Sequence, residues 1–276
     1  MSSAHAAEIA AGQRFAFGAN WARFLDQLDT ARIQAAEDSL RRLLGVAHLQ
    51  GLRMLDVGCG SGLFSLAARR LGARVHSFDY DLQSVACTLE LRRRYRPDDP
   101  DWQVESGSVL DSAYLQGLGQ WDLVYAWGVL HHSGDLARAM ANVVGLVAAD
   151  GRLFIAIYND QGRASRTWLR VKRAYNRLPS GLRWLVLTPA ALRLWGPTMI
   201  RDLLAGRPLH SWRHYARTST RGMSPWRDVV DWVGGLPFEV ATPEEVFRFY
   251  RDRGFRLEEL TTSGGLGCNE FVFRRD

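Results

Sequence analysis

Met54-Leu55-Asp56-Val57-Gly58-Cys59-Gly60-Ser61-Gly62 sets a short apolar run directly against three glycines at alternate positions, and helical spacing follows from Leu63. A strand that turns sharply into a helix needs residues at ease with positive φ, and a ligand approaching the main chain needs no Cβ in its way. Glycine meets both demands. Working outward, the pattern predicts strand at 53–57, helix at 62–71, strand at 74–78, helix at 82–95 and strand at 102–105. Strand at 122–127, helix at 136–146 and strand at 152–158 follow. Such alternation calls for a parallel sheet covered on both faces. Ahead of it, Trp21, Phe24, Leu25 and Leu28, then Ile33, Leu40, Leu43 and Leu44, predict two helices that stop at Gly45. Helix at 243–253 and strands at 256–262 and 270–274 close the chain, whereas residues 160–240 break the alternation. The expected organisation is a helical cap over 1–45, a core of 46–159 with 241–276, and an insertion over 160–240.

The glycine spacing, with Asp56 ahead of it, resembles motif I of the class I S-adenosylmethionine-dependent methyltransferases. Further motifs in the same order strengthen the resemblance. The second strand ends at Asp79, seventeen positions after Gly62, where this family places the carboxylate that takes both ribose hydroxyls; a carboxylate accepts two hydrogen bonds side by side. Tyr80 would lie against the adenine. In Gly107-Ser108-Val109-Leu110-Asp111, Ser108 stands where the family often has an acid, which leaves Ser108, the Val109 backbone or Asp111 to meet the adenine amino group. Trp121 to His132 resembles the family's fourth-strand motif, and Ala148-Ala149-Asp150-Gly151 its turn into the fifth strand. The resemblance covers about residues 45–160 and 241–276. It implies an α/β fold with a seven-stranded doubly wound, Rossmann-like sheet whose last strand is antiparallel. It also implies S-adenosyl-L-methionine held by Asp56, Gly58, Cys59, Gly60, Gly62, Asp79, Tyr80, Ser108, Val109 and Trp127.

Methyl transfer from a sulfonium is an in-line displacement, and an alcohol acceptor needs a base to take its proton. His131, His132 and Tyr158, at the ends of the fourth and fifth strands, are the candidate catalytic residues. For His132 the competing expectation is packing on the sheet with a hydrogen bond to backbone. Asn159, His214, Tyr215, Arg217 and Arg221 are the candidate substrate contacts, and His210 and His214 share a face if their segment is helical. No third ligand stands at metal-site spacing, so no metal is expected. Phe15, Phe17, Trp21 and Phe24 could cover the cofactor as a lid or simply pack on the sheet.

The order of motifs is similar to that of the O-methyltransferases acting on polyprenyl phenols in ubiquinone biosynthesis. His131-His132 stands where that group typically has Glu-His, and the insertion is longer here. The similarity therefore supports a small-molecule oxygen acceptor, not ubiquinone itself. The chain carries a formal +6 with only one lysine, Lys172, among its 35 basic residues. Fourteen of those basic residues, against five acidic ones, fall in 160–240, together with six of the ten tryptophans. An insertion after the fifth strand stands over the methyl group, which predicts an anionic or lipid-like acceptor met by Arg213, Arg217 and Arg221. A nucleic-acid methyltransferase using the same arginines and aromatics is the alternative. It lacks support from an appended RNA-binding module or an Asn/Asp-Pro-Pro-aromatic motif. Residues 182–195 would form either a buried cap helix or a surface that touches a membrane interface. Three scattered cysteines, no signal-like start and no long apolar run lead to the expectation of a cytoplasmic protein.

Overall fold

The computed structural model describes residues 2–218 and 225–276, with side chains for 4–215 and 225–276. Five parallel strands, β1 (Arg53–Val57), β2 (Arg74–Asp79), β3 (Trp102–Ser106), β4 (Trp121–Trp127) and β5 (Val147–Tyr158), form the body of one sheet. β7 (Cys268–Arg275) pairs antiparallel with both β5 and β6 (Phe255–Thr261), giving the order β3-β2-β1-β4-β5-β7-β6. The seven strands and the one antiparallel member match the sequence expectation.

Period-two alternation explains why these strands read as nearly unbroken apolar runs: both faces are covered. On one face Leu55 and Val57, Val124 and Ala126, and Leu153, Ile155 and Ile157 enter a core closed by α7 (Leu136–Val144) and α12 (Pro243–Arg251). On the other, Met54, Leu123, Tyr125 and Phe154 meet α3 (Thr30–Leu44), α4 (Leu63–Arg70) and α5 (Leu82–Tyr95). The chain winds outward in opposite directions from β1 and β4. This reversal opens a crevice at the carboxyl ends of the strands.

Two elements lie outside the sequence expectation. One is α1 (Ser2–Ala10), ahead of the two predicted helices, which are α2 (Phe17–Leu25) and α3. The other is α6 (Ser112–Leu118), a short helix containing Gly117, whose start is fixed by the Asp111 carboxylate accepting from the Ala113 and Tyr114 N–H groups. The insertion is helical where described: α8 (Arg163–Arg177), α9 (Trp184–Leu204), α10 (His210–Thr218) and α11 (Pro225–Gly234). α8, α9 and α11 form a third core around Trp168, Tyr175, Val229 and Val233, into which Phe15 of the N-terminal segment also packs.

Candidate active site

Above the strand ends lies a cavity of about 330 Å³, within the range of small-molecule sites. Its floor is the glycine loop. Gly58, Gly60 and Gly62 have φ of +71°, +55° and +79°, the left-handed region that other residues avoid. A Cβ on Gly58 would fall 2.4 Å from Val129 Cγ1, so the loop is also pressed against the segment that follows β4. Beneath the loop, the Asp56 carboxylate accepts from the Ser65 hydroxyl, which lies 2.7 Å from Ser77 Oγ. Burial pushes the Asp56 carboxyl up to about 7 against that hydrogen bond, with Asp79 adding repulsion.

At the end of β2, the two oxygens of Asp79 are oriented by backbone. Oδ2 accepts from the Gly60 N–H at 3.0 Å and Oδ1 from the Asp81 N–H at 2.9 Å. Each carboxylate oxygen has a second lone pair for a ligand. Burial nevertheless raises this carboxyl to about 6, because desolvation outweighs the two N–H donors. Ser108 and Val109 line the same cavity, with the Ser108 hydroxyl accepting from the Leu110 N–H and the Val109 carbonyl accepting from Asn142. Cys59 is buried in the loop and takes a hydrogen bond from Thr88 Oγ1 at 3.2 Å. Trp127 enters from β4, its indole N–H donating to Glu270 at 2.8 Å.

The roof comes from the N-terminal segment. Phe15, Phe17, Trp21 and Phe24 all line the cavity, and Trp21 stacks so closely on the loop that a Cβ on Gly60 would sit 3.0 Å from its Nε1. Arg14 donates to the carbonyls of His132 and Ser133, pairs with Glu8 and lies with its guanidinium 5.1 Å from the centre of the Tyr80 ring. The Asp81 carboxylate, which caps α5, also accepts from the Gly18 N–H at 2.8 Å. Lid and packing element are thus the same residues.

At the far end, His131, His132 and Tyr158 come together. Their ring centres lie 4.4 Å apart for His131–His132, 4.0 Å for His131–Tyr158 and 5.3 Å for His132–Tyr158. His131 is completely buried; His132 is half-buried, with Nδ1 2.6 Å from the Pro237 carbonyl. A carbonyl only accepts, so Nδ1 carries a proton, and in the neutral ring the lone pair is then on Nε2. Tyr158 is walled by Trp232 at 5.1 Å and Phe238 at 5.3 Å. Behind them is Lys172, wholly buried, its ammonium donating to the Trp232 carbonyl and lying 4.5 Å and 4.6 Å from the Trp232 and Phe238 ring centres. Burial pulls Lys172 down to about 7, opposed by the charge of Asp231. Asp231 itself lines the cavity and accepts from Asn20 Nδ2 at 2.6 Å, tying the insertion to α2.

Comparison with known proteins agrees with this geometry. Residues 28–219 match the methyltransferase domain family. The chain belongs to that family. Among curated relatives, the ubiquinone biosynthesis O-methyltransferase of Xanthomonas campestris pv. campestris (strain B100) is 32% identical over 180 residues, covering 63% of this chain and 73% of the relative. Its namesake from Caulobacter sp. (strain K31) is 27% identical over 175 residues, covering 60% of this chain and 62% of the relative. A solved structure of magnesium protoporphyrin IX methyltransferase from Synechocystis PCC 6803 with bound SAH shares the fold at a TM-score of 0.53 and 14% identity, over 89% of this chain and 84% of that one.

Within this methyltransferase the candidate residues divide. Asp56, Gly58, Cys59, Gly60, Asp79, Tyr80, Ser108, Val109, Trp127, His131, His132 and Tyr158 share one cavity, and Gly62 starts α4 beside it. Of the alternatives for the adenine contact, Asp111 caps α6 and is not among the residues lining the cavity. Asn159 is not among the residues lining this cavity: its amide donates to the Ser263 carbonyl at 3.0 Å, tying the end of β5 to the turn between β6 and β7. His214 and Tyr215 lie instead around a separate surface hollow with Leu194, Trp195 and His210. The His210 and His214 rings do share a face, with centres 4.2 Å apart, and His214 Nδ1 donates to the His210 carbonyl. Arg213 is exposed, while the side chain of Arg217 and all of Arg221 lie outside the described residues. Among the described residues no cluster of three or more His, Cys, Asp or Glu could hold a metal.

The cavity suits the cofactor that the sequence motifs imply. A Cβ-free loop, a backbone-oriented carboxylate and an aromatic roof together accommodate a nucleoside with a polar tail. Arg14, Asp231 and Lys172 escaped the sequence reading. Lys172 alone left a signal, as the single lysine of the chain.

Proposed function

We propose that this methyltransferase moves the methyl group of S-adenosylmethionine to an oxygen of a small, lipid-like acceptor, with His132 as general base. The Pro237 carbonyl carries this reading: by holding the Nδ1 proton it presents Nε2 as a proton acceptor at the cavity end. S-adenosylmethionine, held by Asp79, the glycine loop, Tyr80 and Val109, supplies an electrophilic methyl carbon and a neutral leaving group. His132 takes the proton of the attacking hydroxyl, and the rings of Phe17, His131 and Tyr158 wall out water around it. The relatives named as O-methyltransferases support an oxygen acceptor. Support for an uncharged reacting end comes from the walls, which hold Glu8, Asp56, Asp79, Asp81 and Asp231 against Arg14. The arginines that suggested an anionic acceptor contribute none of their described side chains to this cavity.

The test is label transfer from methyl-labelled cofactor into cell extract separated into lipid, aqueous small-molecule and RNA fractions. Label is expected in a lipid-extractable product stable to mild alkali, as an ether is and an ester is not. Label in RNA would overturn the acceptor class. With that acceptor, His132→Ala is expected to lower kcat by about 10² or more with little change in cofactor affinity. Undiminished turnover would remove His132 from the base role.

A further inference from the structure

The helix α9 is apolar on two opposite faces. Its inner face, through Val186, Leu187, Ala190 and Leu194, packs into the core of the insertion. Its outer face presents Leu185, Leu192, Ile200 and Leu203 to solvent, at 49%, 64%, 61% and 65% exposure. Those positions are seven, eight and three residues apart, which at 3.6 residues per turn keeps them in one stripe along the helix. Leu204, the last residue of the helix, is 83% exposed beside it. A soluble helix ordinarily places charged residues on such a face, so an apolar stripe of this length marks an interaction surface.

Charge decides what the surface fits. Arg193 borders the stripe, Arg201 lies on the same helix near its end, and Arg207 and Arg213 follow, all exposed. The one acidic residue between 182 and 214 is Asp202. It is buried, and its carboxylate is taken by the Ser211 N–H and hydroxyl at 2.7 Å and 2.8 Å. Along 182–214 the exposed charge is therefore uniformly positive. A second copy of the chain meeting it face to face would bring the arginines of one copy near those of the other. An anionic bilayer has no such conflict, since its headgroups accept the guanidiniums while its acyl boundary takes the leucines. No described helix is long and apolar enough to cross a membrane, so the contact is in the plane of the surface. We propose that the outer face of α9 docks the protein on the interface of a membrane rich in anionic lipid. The arginine excess of the insertion thereby finds its partner outside the cavity.

Flotation with phosphatidylcholine vesicles, with and without phosphatidylglycerol, tests this. The full chain is expected to float with the anionic vesicles and to be released by salt. The double variant Leu192→Glu/Leu203→Glu is expected to lose at least about tenfold in vesicle partition. Arg193→Glu/Arg201→Glu is expected to abolish the preference for anionic lipid. Calorimetric titration with S-adenosylmethionine shows that each variant remains folded, since neither pair lines the cofactor cavity. No flotation of the wild type at low salt, or undiminished flotation of the leucine variant, overturns the proposal. So does equal flotation with neutral and anionic vesicles. A wild-type dimer in sedimentation velocity that the leucine variant converts to monomer, without vesicle binding, would assign the face to a second copy.

Discussion

The floor and the roof of the cavity face each other across a few ångströms and are built by different means. The floor is main-chain geometry: three glycines at positive φ and a carboxylate aimed by two backbone N–H groups. The roof, taken together with the far end and the Lys172 enclosure behind it, is side-chain packing. Trp232, Phe238 and Tyr158 enclose one ammonium, and Phe15, Phe17 and Trp21 close over the loop. Backbone geometry constrains residue identity at fixed spacing, whereas packing of this kind needs only bulk in the right place. The floor should therefore fail sharply on single substitutions and the roof by degrees.

The largest expected effect lies on the floor. On the proposed reading, Asp79→Ala would remove the acceptor for two ribose hydroxyl hydrogen bonds, each worth about 1.5–3 kcal/mol when charge-assisted. Cofactor affinity measured by calorimetry is expected to fall by about 10² or more. Equal affinity for both forms would sink the assignment of this carboxylate. The roof is probed by Gly235→Ala. Its Cβ would fall 2.9 Å from the Asp231 carbonyl and 3.1 Å from His132 Cε1, against Phe17 at 3.3 Å. The backbone carbonyl has little freedom to move, so the His132 ring is displaced. We expect kcat to fall about tenfold with cofactor affinity preserved. A loss of cofactor affinity as large as that of Asp79→Ala would erase the distinction between the two regions.

This contrast also explains what could be read in advance. Asp56, Gly58, Gly60 and Asp79 were legible because their tasks fix residue type and separation together, and the strands around them show two-faced burial as apolar runs. Asn159 and Asp111 share one ambiguity. A polar residue at a strand end can serve a ligand or the backbone, and only the fold shows which; Asn159 holds Ser263 and Asp111 caps a helix. Asp231 and Arg14 had no signal, since their value comes from Asn20 and from the His132 and Ser133 carbonyls, all remote in sequence. Charge counting placed the arginines in the insertion but could not aim them, because composition does not tell which side of a helix faces the cavity.

The smallest effect on turnover, and the finest division between the regions, is in how stability depends on pH. On the floor, Asp56 has an ordinary carboxyl value of 3.8 when unfolded and about 7 when folded. Between those values the folded chain holds the extra proton, so this residue makes stability fall as pH rises from about 4 to about 7. On the roof, Lys172 goes from 10.5 unfolded to about 7 folded. Here the unfolded chain holds the extra proton, and stability rises with pH from about 7 to about 10. The two groups thus act in adjoining windows and with opposite sign. Asp56→Asn is expected to gain a few degrees in Tm over the wild type at pH 8, a gain that vanishes below pH 4. Lys172→Met should differ from the wild type in the opposite sense, with the wild type gaining a few degrees relative to the variant between pH 7 and pH 9.5. Melting curves of the three proteins across this range check both signs at once, since groups common to all of them cancel in the differences. Parallel curves for Lys172→Met and wild type would show that the aromatic enclosure leaves the ammonium hydrated, and that the roof, unlike the floor, holds its charge without cost.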